Sequence, residues 1–328
     1  MDKNKEVKLI NLQDVELEEI DWLLYPFIPY GKVTVLQGDP GEGKTTVMLR
    51  IIAALTTGRN IFDDSKEKSE KDPINVIYQT AEDGLGDTIK PRLLDAGADC
   101  SHVMVIDDSE KPLAIMDDRL ETAISQTSAK LIVLDPIQGY IGAGVDMHRA
   151  NEIRPLMKRL SNISERYRCA IVLIGHMNKC AAAKSNYRGL GSIDIQAAAR
   201  SVLICARVRE DPEIRVICQI KSSLAPESLP IAFRLNANGF KWIGEYEITS
   251  EELLSGSKKG RKSKDAKEFL EHQLENGEKE SRHILNEAEK QGIKKRTLMR
   301  VKSELGIESV KSNNIWQWRY PEEKKQLR

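Results

Sequence analysis

Aromatic residues make up only 5% of this 328-residue chain, so any core it buries is built mainly from aliphatic side chains. No apolar run approaches the roughly 18 residues that a membrane-crossing helix needs, and the opening MDKNKEVKLI lacks the apolar segment of a secretion signal. These absences point to a cytoplasmic protein with no membrane partner. The five cysteines (Cys100, Cys169, Cys180, Cys205, Cys218) are odd in number, show no CxxC spacing and sit mostly in apolar runs. Buried reduced thiols fit that pattern better than disulfides or zinc ligands. An excess of one charge is missing too, with 50 Lys+Arg against 50 Asp+Glu, but the balance is uneven along the chain. From residue 257 to the end, 19 Lys+Arg face 12 Asp+Glu, a net +7 that leaves −7 for the rest. An acidic body with a basic end assigns contact with a polyanion to the end.

What is present is ordinary for a soluble globular protein: 40% apolar and 30% charged residues. Short β-type runs alternate with helical patterns, which predicts an α/β fold whose mainly parallel sheet is covered by helices. The runs are KVTVLQ (32 to 37), NVIYQT (75 to 80), HVMVID (102 to 107), KLIVLD (130 to 135) and CAIVLIGH (169 to 176). SVLICAR (201 to 207) and IRVICQIKS (214 to 222) are joined by so short a link that the sheet is expected to end in antiparallel pairing. A last hairpin, IAFRL then FKWIG, turns at residues 236 to 239. The organisation is therefore a large domain over 1–254, a polar basic linker SGSKKGRKSK over 255–264, and a small module over 265–328.

The stretch Gly38, Asp39, Pro40, Gly41, Glu42, Gly43, Lys44, Thr45, Thr46 satisfies G-x-x-x-x-G-K-[ST], and it lies between an apolar strand and a helical pattern. Its glycines let successive backbone N–H groups face one anion, and the helix N-terminus adds partial positive charge. Lys44 is placed to reach the β- and γ-phosphates of ATP, and the Thr45 hydroxyl to take a position on Mg2+. Four apolar residues then Asp135, in LIVLDP, put a carboxylate at the sheet's C-terminal edge, where it can hold the magnesium or merely cap the next turn. Pro136 follows it and cannot act as a base, so the base must come from another strand. NVIYQTAEDG supplies Glu82 and Asp83. If that strand lies beside the phosphate-loop strand, Glu82 projects over the γ-phosphate and orients water; otherwise the two carboxylates cap the following helix.

The ordered set GDPGEGKTT, AEDG with DTIKPRL, LIVLDP and LIGHMNK resembles the RecA-fold ATPases of the plasmid RepA helicase type, relatives of DnaB helicases and KaiC, over about residues 18 to 245. The resemblance implies that Glu82 is the catalytic base and that His176 senses the γ-phosphate. It also implies a homo-oligomeric ring in which a neighbour's basic residue caps each nucleotide. Lys221 is the best match for that residue, although the family uses arginine, and Arg207 is its rival; an inert surface lysine fits Lys221 equally. The resemblance also implies that the loop 178 to 200, of the length that lines the central channel in DNA-translocating relatives, puts Lys179, Lys184 and Arg188 on single-stranded DNA, or else that it only relays nucleotide state.

The basic end spells three helices and a hairpin, with Ser281 able to cap the second helix and Leu298, Val301 and Leu305 on one face of the third. Trp316 and Trp318 alternate in IWQWRY and are expected to share a face packed on the helices. The pattern resembles a winged helix-turn-helix, which implies duplex DNA binding through Lys294, Lys295, Arg296, Arg300, Lys302 and Lys311, although such modules also bind proteins. Two functions stay open: a replication ATPase or helicase, and a nucleotide-switched DNA-binding regulator that unwinds nothing.

Overall fold

The computed structural model describes residues 9–62, 71–177, 193–226, 228–255, 259–275, 277–312 and 315–321. The chain divides into two compact units, Met1–Ser250 and Glu251–Arg328. No helix among the described residues is long and apolar enough to cross a membrane.

In the first unit a small hairpin, β1 (Trp22–Leu24) and β2 (Ile28–Pro29), precedes β3 (Val33–Gly38) and α1 (Lys44–Thr57). Next come β4 (Val76–Thr80), a single π-helical stretch Leu85–Ile89 that runs into α2 (Lys90–Asp95), β5 (Val103–Met104) and α3 (Asp118–Thr127). They are followed by β6 (Leu131–Asp135), α4 (Ala150–Tyr167), β7 (Ala170–His176) and α5 (Ile193–Ala198). The unit finishes with β8 (Ser201–Arg207), β9 (Ile214–Ser222), β10 (Ile231–Asn236) and β11 (Gly239–Glu245). Nine strands form one sheet in the order β11-β10-β9-β8-β3-β7-β6-β4-β5, parallel from β8 to β5 and antiparallel from β8 outward to β11.

Two aliphatic clusters explain why these runs are strands. Successive side chains of a strand point to opposite faces, and a sheet covered on both sides can be apolar throughout. Ile132, Leu134, Ile171 and Leu173 pack on one face with Leu156 and Leu160 of α4, whereas Leu131, Val133, Ala170 and Val172 pack on the other with Val47, Met48 and Ile52 of α1. Phe233, Phe240 and Trp242 gather where the antiparallel edge meets the second cluster.

One expectation about neighbours is corrected. The strand that leads to Glu82, β4, does not lie beside β3; β7 and β6 stand between them. The crossover from β3 to β4 passes over two places in the sheet that later segments fill, an arrangement that chain order does not encode. The strand read from HVMVID is also shorter, with only Val103–Met104 paired.

The second unit contains α6 (Ser250–Ser255), which spans its boundary, then α7 (Lys259–Gln273), β12 (Lys279–Glu280), α8 (Ser281–Lys290), α9 (Lys295–Glu304), β13 (Glu308–Ser312) and β14 (Ile315–Arg319). Its three strands are antiparallel in the order β12-β14-β13, and Phe269, Leu270, Ile284, Leu298, Val301 and Trp318 make its core. Three details differ from the sequence reading. The helix α7 starts at Lys259, inside the stretch read as linker, because a run without proline and rich in lysine can continue a helix. Ser281 is the first helical residue, and Glu280 holds the cap position without a side-chain bond. Trp318 is buried, but Trp316 is 54% exposed. Short β12 pairs with Gln317 and Trp318 and ends there, so Trp316 is flanked by Lys311 of β13 alone.

Candidate nucleotide site

The sheet's register assembles the site. Gly38, the last residue of β3, pairs with His176, the last of β7, and Asp135, the last of β6, pairs with Thr80, the last of β4. Four strands thus end together at one edge, facing the N-terminus of α1. The loop between Gly38 and Lys44 turns through Gly41 (φ 78°) and Gly43 (φ 87°), left-handed conformations that favour glycine. Asp39 and Pro40 are exposed, whereas Glu42, Thr45 and Thr46 are half-buried. Gly38 is constrained from behind: a β-carbon there would overlap the carbonyl oxygen of Cys205 in β8. The buried Cys205 thiol donates to the Glu42 carbonyl at 3.1 Å and so ties the loop to β8.

Lys44 is buried beneath the loop, and its ammonium donates to the carbonyls of Gly38 (3.0 Å) and Asp39 (2.9 Å). Burial pulls its pKa below the ordinary lysine value, against the opposing effects of Cys205, Asp135, Glu42 and Asp39. The same nitrogen lies 3.4 Å from Nδ1 of His176, and Nε2 of that ring lies 3.6 Å from the Glu82 carboxylate. An acceptor role for Nδ1 toward the ammonium puts the ring proton on Nε2, facing Glu82. The Glu82 side chain is 62% exposed, and 3.6 Å is too long for a hydrogen bond, so the carboxylate is close to the site and open to water. Asp83 pairs instead with Arg92 of α2, at 3.3 Å.

Asp135 is 7% exposed, and two hydroxyls donate to its Oδ2: Thr45 at 2.7 Å and Tyr78 at 2.7 Å. Burial raises its pKa, while the Tyr78 and Thr45 hydrogen bonds lower it. A hydroxyl and a carboxylate this close, beside a loop of backbone N–H groups, form the hard oxygen donor set that suits Mg2+ next to a phosphate. Thr45 and Asp135 therefore fit the role that the sequence assigns them.

The two cations expected to reach a neighbour are engaged within their own chain. Arg207 donates to the Gly41 carbonyl at 2.9 Å and lies 3.4 Å from the Glu42 carboxylate, so it braces the phosphate loop from which it was meant to reach away. Lys221 donates to the carbonyls of Gln196, Ala197 and Ala199 at 2.8 to 2.9 Å, capping the end of α5. Sequence reasoning missed two residues. Tyr78 sits in an apolar run with nothing to mark its hydroxyl, and Arg215 packs its side chain against Gly43 while donating to the carbonyls of Leu235 (2.7 Å) and Glu213 (3.1 Å).

Lys179, Lys184 and Arg188 lie outside the described residues. In the second unit, Lys294, Lys295 and Lys311 are exposed, Lys302 lies over the Trp318 ring at 5.1 Å, and the side chains of Arg296 and Arg300 are outside the described set.

A mostly parallel sheet with helices on both faces, a phosphate loop leaving β3 and a carboxylate ending β6 defines an α/β core of the P-loop type. Residues 3–182, more than half of the chain, match the AAA domain family (AAA_25), and the chain belongs to that family. It is 25% identical over 172 residues to the DNA repair protein RadA of Halalkalibacterium halodurans, an alignment that covers 52% of this chain and 33% of the relative. The chain thus spans about a third of the length of that relative. Among solved structures, the RadB recombinase aligns at 17% identity over 66% of this chain and 91% of its own, with a TM-score of 0.43. The ATPase domain of G40P aligns at 12% identity over 64% of this chain and 84% of its own, with a TM-score of 0.48.

Proposed function

We propose that the chain hydrolyses ATP to act on DNA, as a replication ATPase or helicase of the plasmid or mobile-element type. The observation that carries this reading is the convergence of Lys44, His176, Thr45, Asp135 and Glu82 from three strand ends and one helix. In this reading the loop N–H groups and Lys44 hold the phosphates, and Thr45 and Asp135 hold Mg2+, which neutralises phosphate charge when bound. Glu82 is the one acidic group of the set that is open to solvent, which suits a residue that orients the attacking water, a role worth 10² to 10⁴ in rate. His176, between Lys44 and Glu82, suits a sensor of the terminal phosphate.

The name of the RadA relative and the excess of positive charge in the second unit support DNA as the partner. Three helices with a three-stranded antiparallel sheet support reading residues 265–328 as a winged helix-turn-helix that offers Lys294, Lys295, Arg296, Arg300 and Lys311 to a duplex. Lys302 suits that role less, since it is stacked on Trp318. A ring in which a neighbour's cation completes the site remains part of the proposal. Arg207, 43% exposed and held by surface contacts, suits that role better than Lys221. The second reading is a nucleotide-switched regulator that binds DNA and does not unwind it.

ATP turnover measured without DNA, with single strands and with duplex, together with the mass in solution, separates the two. A motor is expected to be stimulated several-fold or more by single strands and to have the mass of a multi-copy ring. A regulator is expected to depend on duplex and on residues 251–328. No turnover under any of these conditions would overturn both readings.

A further inference from the structure

We infer that Tyr78 is a positioning residue for the cation site: its hydroxyl aims the Asp135 carboxylate so that Thr45 and the free carboxylate oxygen serve the metal. This rests on the Mg2+-dependent ATPase reading of the site and names a residue that the phosphate-loop motif does not include.

Tyr78 lies in β4, paired with Val133 of β6 two residues before Asp135, and its side chain is fully buried. Its hydroxyl donates to Oδ2 of Asp135 at 2.7 Å, the same oxygen that Thr45 reaches. The two donors are not equivalent. Thr45 stands at the start of α1, beside the phosphate loop, and its one hydroxyl oxygen is shared with any cation bound there. Tyr78 is paired with Val133 of β6, and the two residues before it, Val76 and Ile77, are also paired with β5, so its hydroxyl is fixed in the frame of the sheet. Both hydroxyls fall on Oδ2, which leaves Oδ1 without a hydroxyl donor among the described residues. A buried carboxylate that loses one of two donors pays the cost of an under-satisfied charge and is free to rotate about its last side-chain bond. The loss falls on cation binding, because the Tyr78 hydroxyl is spent on Asp135, whereas Lys44 is held separately by the carbonyls of Gly38 and Asp39.

The test is Tyr78→Phe, which keeps the ring and removes only the hydroxyl, beside Tyr78→Met, which fills similar space without a ring. Binding of a fluorescent ATP analogue is titrated with Mg2+ and repeated in EDTA, and turnover is followed against Mg2+. The expected result in both variants is a half-saturating Mg2+ concentration raised about tenfold, with metal-free affinity for the analogue unchanged and turnover at saturating Mg2+ within about threefold. An unchanged Mg2+ requirement overturns the inference while leaving the ATPase reading intact. A parallel loss of metal-free affinity also overturns it, because it marks Tyr78 as a general support of the sheet. A parent chain that binds no nucleotide overturns the reading of the site and the inference with it.

Discussion

Gly139 lies against Ala81 so closely that a β-carbon at position 139 would overlap the Ala81 methyl. The Ala81 N–H also donates to the carbonyl of Asp135 at 3.0 Å. These two contacts pin the turn after β4 to the end of β6, which is how Glu82 comes within reach of His176 although β4 and β3 are not neighbours.

Gly139→Ala is therefore expected to push the turn outward and move Glu82 away from the site. A displacement of about 1 Å is worth up to roughly 10²-fold in rate, so turnover should fall by that order while nucleotide affinity holds within about twofold. Steady-state kinetics beside a binding titration checks this, and unchanged turnover would show that Glu82 does not depend on the contact.

Glu82→Gln removes the charge and keeps the shape. Turnover is expected to fall by 10² to 10⁴, again without loss of nucleotide binding. A fall of less than threefold would remove Glu82 from the chemistry and leave Asp83, already paired with Arg92, as no better candidate.

Lys221→Met tests a structural role against a role across a subunit boundary. If the lysine only caps α5, the variant loses about 1 kcal/mol of stability, read as a melting temperature a few degrees lower at most, and keeps its turnover per folded molecule. Lost turnover with unchanged melting would restore the residue to the neighbour's active site.

Asp117 caps α3, accepting from the Arg119 backbone N–H at 2.9 Å and pairing with the Arg119 guanidinium at 2.8 Å. Side-chain and then backbone hydrogen bonds from Arg119 hold its pKa well below the usual carboxylate range. A carboxyl whose folded pKa is depressed contributes stability that is present above its unfolded value and lost as pH falls toward the folded one. Asp117→Asn should therefore melt below the parent at neutral pH, and the gap should close as pH drops below about 4. Melting curves across pH check this; a gap that stays constant through that range would show that the cap is not acting through charge.

The phosphate loop, the carboxylate that ends β6 and the histidine that ends β7 were legible because each follows an apolar run whose end must lie at a sheet edge. The order of strands was not legible, because long crossovers let a chain skip places that later segments fill; the placing of β4 beside β3 failed for that reason. Partners of cations were not legible either. Nothing local distinguishes Lys221, whose three carbonyls lie more than twenty residues away, from a lysine in water. Trp316 and Trp318 have the same parity in β14, but only the second has strands on both sides, a matter of where β12 stops.

Arg215 of β9 lies against Gly43, and its Nη1 donates to the carbonyls of Glu213 and Leu235. Truncation experiments inherit a boundary from this. A fragment cut at residue 182, where the family match stops, lacks Arg215 itself, and one cut before β10 strands the arginine without its 2.7 Å acceptor. An excised piece that keeps Arg215 with both of its acceptors must run at least through Leu235 of β10.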